Sequence, residues 1–344
     1  MSTTVFVSGA TGYIALHLVK QLLKANYRVI GAVRSEEKGQ TLKSNLESIN
    51  IPTKDFSFVV VKDIAAKGAF DKALQQYADS INVFLHTASP VQFNVKDVKK
   101  DLLDPAVEGT TNALNAIKKY GKNIKRVVVT SSISAVGTWG VELGPDVIFD
   151  EKAWNPITWE KALKDPQLGY NGAKTFAEKC VWDFVKKEKP QFTVATICPG
   201  MVFGPQAFPI NNRKELNYSA EAINKLLKLK PDDKVPSGEG MYVDVRDVAK
   251  AHIKAFETQE AQGERLILIS GKYNNQEVMN IIREDFDILD QILPKGNPED
   301  AKKYSPRLDR WHNEKTRAIL GFDFIGLKQS VDDSVGQILN DEVD

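Results

Sequence analysis

The sequence predicts an α/β fold, a doubly wound parallel sheet followed by a smaller, mainly helical lobe, and three observations carry that expectation. Short β-branched runs alternate with helical stretches of roughly ten to fifteen residues, a rhythm that implies parallel pairing with helices on both faces. The first run ends in a glycine-rich turn that leads straight into a helix. Small and polar residues gather after several of the runs, and a sheet of this kind receives ligands outside the carboxyl ends of its strands. These are the marks of a Rossmann-type domain.

The chain has 344 residues, enough for one large domain or two modest ones. The expected division is a nucleotide-binding domain over 1–204 and a substrate-binding lobe over 205–344, with strands of the second part free to return to the first. Lys and Arg number 46 against 45 acids, so no overall field draws in nucleic acid or an anionic membrane. The expected partner is a small molecule. No apolar run approaches the roughly 18 residues of a membrane helix, and the start shows no leader-like succession, so a cytoplasmic protein is expected, as monomer or homodimer. Cys180 and Cys198 lack metal-ligand spacing and are expected to be buried thiols, with no metal site.

The first run and turn read Thr4-Val-Phe-Val-Ser-Gly9-Ala-Thr-Gly12-Tyr-Ile-Ala15, followed by an apolar-periodic helix over 17–23. In this GxxGxxA pattern Gly9 turns the chain out of the strand, Gly12 admits a pyrophosphate to the backbone, and Ala15 keeps the helix close to the sheet. Thr11, Tyr13 and Ile14 complete a turn where a helix N-terminus offers amide donors and a positive dipole end to phosphate. The second strand, 27–33, ends at Arg34-Ser35 with Lys38 just beyond. A ribose 2′-hydroxyl calls for a carboxylate there and a 2′-phosphate for a cation, so Arg34 points to NADP rather than NAD. Glu36 and Glu37 fall in the first turn of the next helix, where acids suit the dipole.

A third strand, 56–62, ends at Asp63-Ile64, where a side chain could bond an adenine amino group or cap a helix beginning there. The fourth opens into His86-Thr87-Ala88-Ser89-Pro90, small residues that leave room for a cofactor, with His86 itself read as interior. After a helix over 105–120, a fifth strand, 126–132, carries Thr130 near its end. Residues 137–167 are expected to form a long excursion with little regular structure. A helix over 169–187 carries Tyr170 and Lys174, and a sixth strand, 192–198, runs into Pro199-Gly200-Met201-Val202-Phe203-Gly204-Pro205. Pro199, Gly200 and Val202 are expected against the cofactor. Beyond this, helices near 220–229, 245–257, 276–289 and 313–319 interleave with strand-like pieces at 241–243 and 265–269.

Tyr170 and Lys174 are four apart on one helix face and can meet at one site. A phenol with a pKa of about 10 exchanges protons poorly near neutrality, and a neighbouring ammonium favours its anion. Tyr170 is then the expected proton donor to a carbonyl oxygen as hydride reaches the carbon, with Ser132 holding that oxygen. Lys174 would also reach the nicotinamide ribose. The weight lies in the order: glycine turn, basic residue after strand two, serine after strand five, then the Tyr-Lys helix.

Through 9–15, 86–90, Thr130-Ser-Ser132, Tyr170-Asn-Gly-Ala-Lys174, 199–205 and 242–249, the chain resembles the extended short-chain dehydrogenases/reductases. Within them it is similar to the dihydroflavonol reductase-like branch. The resemblance implies a Ser-Tyr-Lys triad at Ser132, Tyr170 and Lys174, and hydride transfer from NADPH to an aldehyde or ketone. It allows Ser131 or Ser132 as the serine, and Ser132 is preferred because apolar Ile133 follows it. Asn112 reads either as a proton-relay amide or as a helix-surface amide. Two other functions share the nucleotide features: a nucleotide-sugar epimerase or dehydratase on the same fold, and an NADP-sensing regulator that catalyses nothing. The neighbours Ser131, Ile133 and Ser134 lack the acids of a dehydratase, and a regulator would not need Tyr170 and Lys174. Apolar Val91, Phe93, Ile133, Val136, Met201 and Val202 are expected around the site, and Gly137 to leave extra room, so bulky aryl ketones should be accepted. Trp311-His312 reads either as packing within the second lobe or as part of an interface, with packing preferred.

Overall fold

β-Branched and aromatic runs form ten strands among the described residues: β1 (Thr4–Ser8), β2 (Arg28–Val33), β3 (Phe56–Val60), β4 (Ile81–His86), β5 (Arg126–Thr130), β6 (Thr193–Pro199), β7 (Met201–Phe203), β8 (Glu239–Asp244), β9 (Arg265–Leu268) and β10 (Gly271–Asn274). The structure is a computed structural model that describes residues 3–89, 95–137, 144, 146–209, 216 and 218–340. The helices between are α1 (Tyr13–Lys24), α2 (Glu36–Ser48), α3 (Asp71–Gln76), α4 (Asp104–Tyr120), α5 (Trp159–Ala162), α6 (Pro166–Glu188), α7 (Tyr218–Leu227), α8 (Val245–Glu257), α9 (Asn275–Asp285), α10 (Asp287–Asp290), α11 (Glu314–Leu320) and α12 (Leu327–Asn340).

Seven strands make one sheet in the order β3-β2-β1-β4-β5-β6-β9, every neighbouring pair parallel. The winding reverses between β1 and β4, which opens a crevice at their carboxyl ends. All five residues of β1 are buried, as a central parallel strand requires. Their alternation divides them: Val5 and Val7 join the core under α1 and α8, while Phe6 faces the core under α4. There Phe6 stacks on Phe84 of β4, ring centroids 4.8 Å apart, because the two residues are in register.

The smaller lobe holds a small sheet, β10-β8-β7, with β7 parallel and β10 antiparallel to β8, and it draws β7 from the span expected to belong to the first domain. Its core gathers Ile223, Met279, Ile282, Val331, Val335 and Ile338 from α7, α9 and α12. The chain does not stay in that lobe: α8 returns to pack against α1, and β9 extends the large sheet beside β6. Asp165 caps α6 by accepting a bond from the Leu168 amide at 2.9 Å, so the helix begins at Pro166, three residues before the expected start. No helix among the described residues is long and apolar enough to cross a membrane. Trp311 stacks on Phe149, centroids 4.7 Å apart, so it packs against the first part of the chain and not, as expected, within the second lobe.

Candidate active site

The carboxyl ends of the central strands and one edge of the small sheet enclose a cavity of about 720 Å³. β1 leaves through Gly9, whose φ of +63° is left-handed. A Cβ there would lie 2.9 Å from the Ala88 Cα, so glycine is what lets β1 and β4 end side by side. Gly12 then opens α1, which has no side-chain cap and no acid in its first turn. Gly12, Tyr13, Ile14 and Ala15 all line the cavity, so the uncapped end of the helix faces it and suits an anion. Arg34 lines the same cavity from the end of β2, one residue before Ser35 caps α2. A glycine cradle, a free helix end and a cation at that strand end fit a dinucleotide carrying a 2′-phosphate.

Thr87 and Ser89 line the cavity beyond β4. Ser8 Oγ accepts the Thr87 and Ala88 amides, each at 3.1 Å, and so turns its own proton to His86 Nδ1 at 2.9 Å. Burial, with the Lys174 charge adding to it, lowers the His86 pKa to about 4. The ring is neutral and interior, as its setting in the sequence predicts. On the far side Thr130 Oγ donates to His252 Nε2 at 2.7 Å, since Nδ1 of that ring donates to the Val248 carbonyl. Pro199, Gly200 and Val202 complete the wall.

Several residues expected at the cofactor are not among those that line the cavity. Thr11 sits in the turn, and Ala88 backs Gly9 from below. The Lys38 side chain is exposed on the first turn of α2, where its amide donates to Ser35 Oγ at 3.3 Å. Asp63 accepts the Ala65 amide at 2.9 Å and closes a local turn, with no helix there to cap. Ile64 packs on Gly109 of α4. Asn112 Nδ2 donates to the Ile64, Ala65 and Ala66 carbonyls at 2.9, 3.1 and 3.0 Å. The half-buried amide on the α4 surface thus pins the loop that follows β3.

Ser132, Tyr170 and Lys174 share the cavity. Ser132 Oγ accepts the Ser134 amide at 3.1 Å and is hydrogen-bonded to Tyr170, whereas Ser131 Oγ donates to buried Glu178 at 2.6 Å. The two adjacent hydroxyls thus have different partners. Lys174 is buried, with Nζ 6.0 Å from the Tyr170 ring centroid. Burial lowers its pKa to about 8, against an opposing pull from Cys198 and Glu178. The Tyr170 phenol is raised above its usual value by burial, with the Ser132 bond opposing. This differs from the expected lowering: desolvation outweighs any gain from an ammonium at that separation.

Ile133, Met201 and Val202 line the cavity as expected. Val136 instead turns into a cluster with Phe149 and Leu308, and Val91 and Phe93 lie outside the described residues. Gly137 borders the cavity, but a Cβ on it would meet the Phe149 ring at 2.5 Å. Its lack of a side chain therefore makes room for Phe149, not for substrate. The opposite wall comes from Tyr218, Glu239, Tyr273, Arg307 and Trp311, which no local pattern marks because tertiary packing alone brings them there.

The profile of the NAD dependent epimerase/dehydratase family matches residues 5–270. The chain belongs to that family. A Candida albicans protein, GRP2, is 55% identical over 98% of this chain and 99% of its own. The crystal structure of Candida albicans Gre2 in complex with NADPH superposes with a TM-score of 0.92 at 48% identity, over 98% of this chain and 99% of that one. Yeast methylglyoxal/isovaleraldehyde reductase Gre2, also complexed with NADPH, gives 0.93 at 43% identity, over 99% of each. The likeness to yeast methylglyoxal reductase carried by Trp154-Asn-Pro and residues 170–179 thus extends over the whole chain.

Proposed function

We propose that this protein is an NADPH-dependent reductase that converts aldehydes and ketones to alcohols, with Ser132, Tyr170 and Lys174 at its centre. One observation carries the reading: Tyr170, bonded to Ser132, and Lys174 open into the same cavity as the glycine turn and Arg34. Its full-length likeness to Gre2 reductases crystallised with NADPH supports the cofactor. The turn at 9–15, Arg34, Thr87, Ser89, Pro199, Gly200 and Val202 would hold NADPH, which when bound supplies the hydride.

The chain's own groups handle the oxygen and the proton. Ser132 takes the Ser134 amide on a lone pair, so its hydroxyl proton can turn to a carbonyl oxygen as charge builds there. Tyr170 is protonated at neutral pH as an ordinary phenol is, burial favours that form further, and it is the form needed to give a proton to that oxygen. Lys174, with a pKa of about 8, is charged at pH 7 and stabilises the phenolate left behind. Ile133, Met201 and Val202 give the substrate end an apolar surface. The residues flanking Ser132 are Ser131 and Ile133, neither of them an acid, which favours reduction over the dehydrations found on this fold.

NADPH oxidation is the direct assay, with methylglyoxal, isovaleraldehyde and activated aryl ketones as probes. Tyr170→Phe should lower kcat by about 10²–10⁴ while NADPH still quenches or enhances fluorescence as for the native protein. A native preparation that binds NADPH yet oxidises it with no carbonyl in a broad panel defeats the reductase reading. A fully active Tyr170→Phe defeats the proton-donor role alone.

A further inference from the structure

Beneath the proposed catalytic face lies a buried ion pair that the reaction does not itself use. Tyr170, Lys174 and Glu178 are spaced four apart on α6 and share one face. Glu178 is 1% exposed and Arg265, on β9, 7%. Arg265 Nε donates to Glu178 Oε1 at 2.7 Å and Nη2 to Oε2 at 3.2 Å, a two-pronged pairing. The same guanidinium donates to the Ala153 and Glu151 carbonyls and lies 3.8 Å from the Trp154 ring centroid. The arginine is thus fixed on several sides where it meets the acid.

Glu178 also receives Thr196 Oγ at 2.7 Å from β6 and Ser131 Oγ at 2.6 Å. The Ser131 bond crosses from α6 to the residue just past β5, immediately before Ser132. Successive side chains on an extended segment point in opposite directions. With the Ser131 hydroxyl held toward Glu178, the Ser132 hydroxyl is presented to Tyr170. An ion pair so buried gives little net stability, because desolvation offsets the attraction. What this one supplies is a single fixed orientation at the end of β5.

We propose that Ser131 is a positioning residue, tethered by the Glu178–Arg265 pair, that sets Ser132 against Tyr170 in reacting geometry. The inference rests on the reductase reading and deepens it, since Ser132 and Tyr170 must meet the same oxygen and a displacement of about 1 Å can cost about a hundredfold in rate.

Ser131→Ala removes the tether but leaves Glu178 bonded to Arg265 and Thr196, so the fold should persist with a nearly native thermal midpoint. The full chain is compared as wild type, Ser131→Ala, Ser131→Thr and Ser132→Ala. Ser132→Ala should lose about a hundredfold or more in kcat. Ser131→Ala should lose about tenfold in kcat, with carbonyl KM and the NADPH dissociation constant from fluorescence titration within about twofold. In ligand-free crystals of Ser131→Ala, Ser132 Oγ should move away from the Tyr170 hydroxyl. Ser131→Thr restores the donor and should recover most of the rate.

Native kcat in Ser131→Ala beside an inactive Ser132→Ala overturns the tether and leaves the reductase reading standing. A threonine variant no better than alanine also overturns it. An inactive Ser131→Ala beside an active Ser132→Ala makes Ser131 the reacting hydroxyl and overturns the proposal. Should the wild type reduce no carbonyl, the reductase reading falls, and an unmoved Ser132 in the Ser131→Ala crystals would overturn the tether independently.

Discussion

Replacing Lys174 with methionine should make the ligand-free protein more stable while removing its activity. Lys174 is 6% exposed, and burial lowers its pKa from 10.5 to about 8. At about 1.4 kcal/mol per pKa unit, keeping the ammonium folded at neutral pH costs about 3 kcal/mol relative to the unfolded chain. Methionine has a similar length and no charge to desolvate, so Lys174→Met should be stabilised by about that amount at pH 7. The folded-state pKa lies below the unfolded one, so between them the unfolded chain holds more protons and the native protein gains stability as pH rises. The advantage of the variant is therefore complete below about pH 8 and gone above about 10.5. Equilibrium urea unfolding at pH 7 and at alkaline pH measures it. A variant no more stable than the native protein at pH 7, or a difference that does not shrink with pH, would refute the reasoning.

Two further outcomes rest on the geometry. Arg34→Ala should raise the KM for NADPH by about tenfold or more, the value of a charge-assisted phosphate contact, and leave that for NADH nearly unchanged; equal effects on both would remove the 2′-phosphate assignment. Gly137→Phe should lower the thermal midpoint by several degrees and depress activity on small and bulky carbonyls alike, because its side chain meets Phe149. A native midpoint with selective loss of bulky ketones would instead place Gly137 against the substrate.

The parts of this molecule that are legible in its sequence are those written over short spans. The turn from Gly9 to Gly12, the cation at Arg34 and the shared face of Tyr170 and Lys174 each depend on residues within one strand end or one helical turn. Glu178 and Arg265 are 87 positions apart, and nothing in either neighbourhood names the other. The helix at 245–257 is visible from its apolar period, but period says which face is buried and not against what. It packs on α1 and the large sheet. β7 is hidden inside a run of proline and glycine, and α12 buries Ser330 and Ser334, polar residues that interrupt its apolar stripe. Ser330 nonetheless belongs inside, because its hydroxyl donates to buried Asp244 at 2.7 Å. Asp63 shows the limit in miniature, since only the fold reveals that its carboxylate serves a turn.

The first helix also governs a distant segment of backbone. Tyr13 Oη, His17 Nε2 and Lys20 Nζ donate to the carbonyls of Gly204, Pro205 and Ala207 at 2.6, 2.9 and 3.0 Å. From the other side Gln337 of α12 grips the backbone of Gln206 and Phe208. These grips fall on main-chain atoms and fix the path of the strap, which is also held from within by Gly204, whose φ of +119° and closeness to Asp244 leave no room for a Cβ, and by buried Ala207 and Phe208. One short segment is therefore clamped from α1 and from α12 at once, and a change in α1 would be felt both at the nucleotide end and in the second lobe.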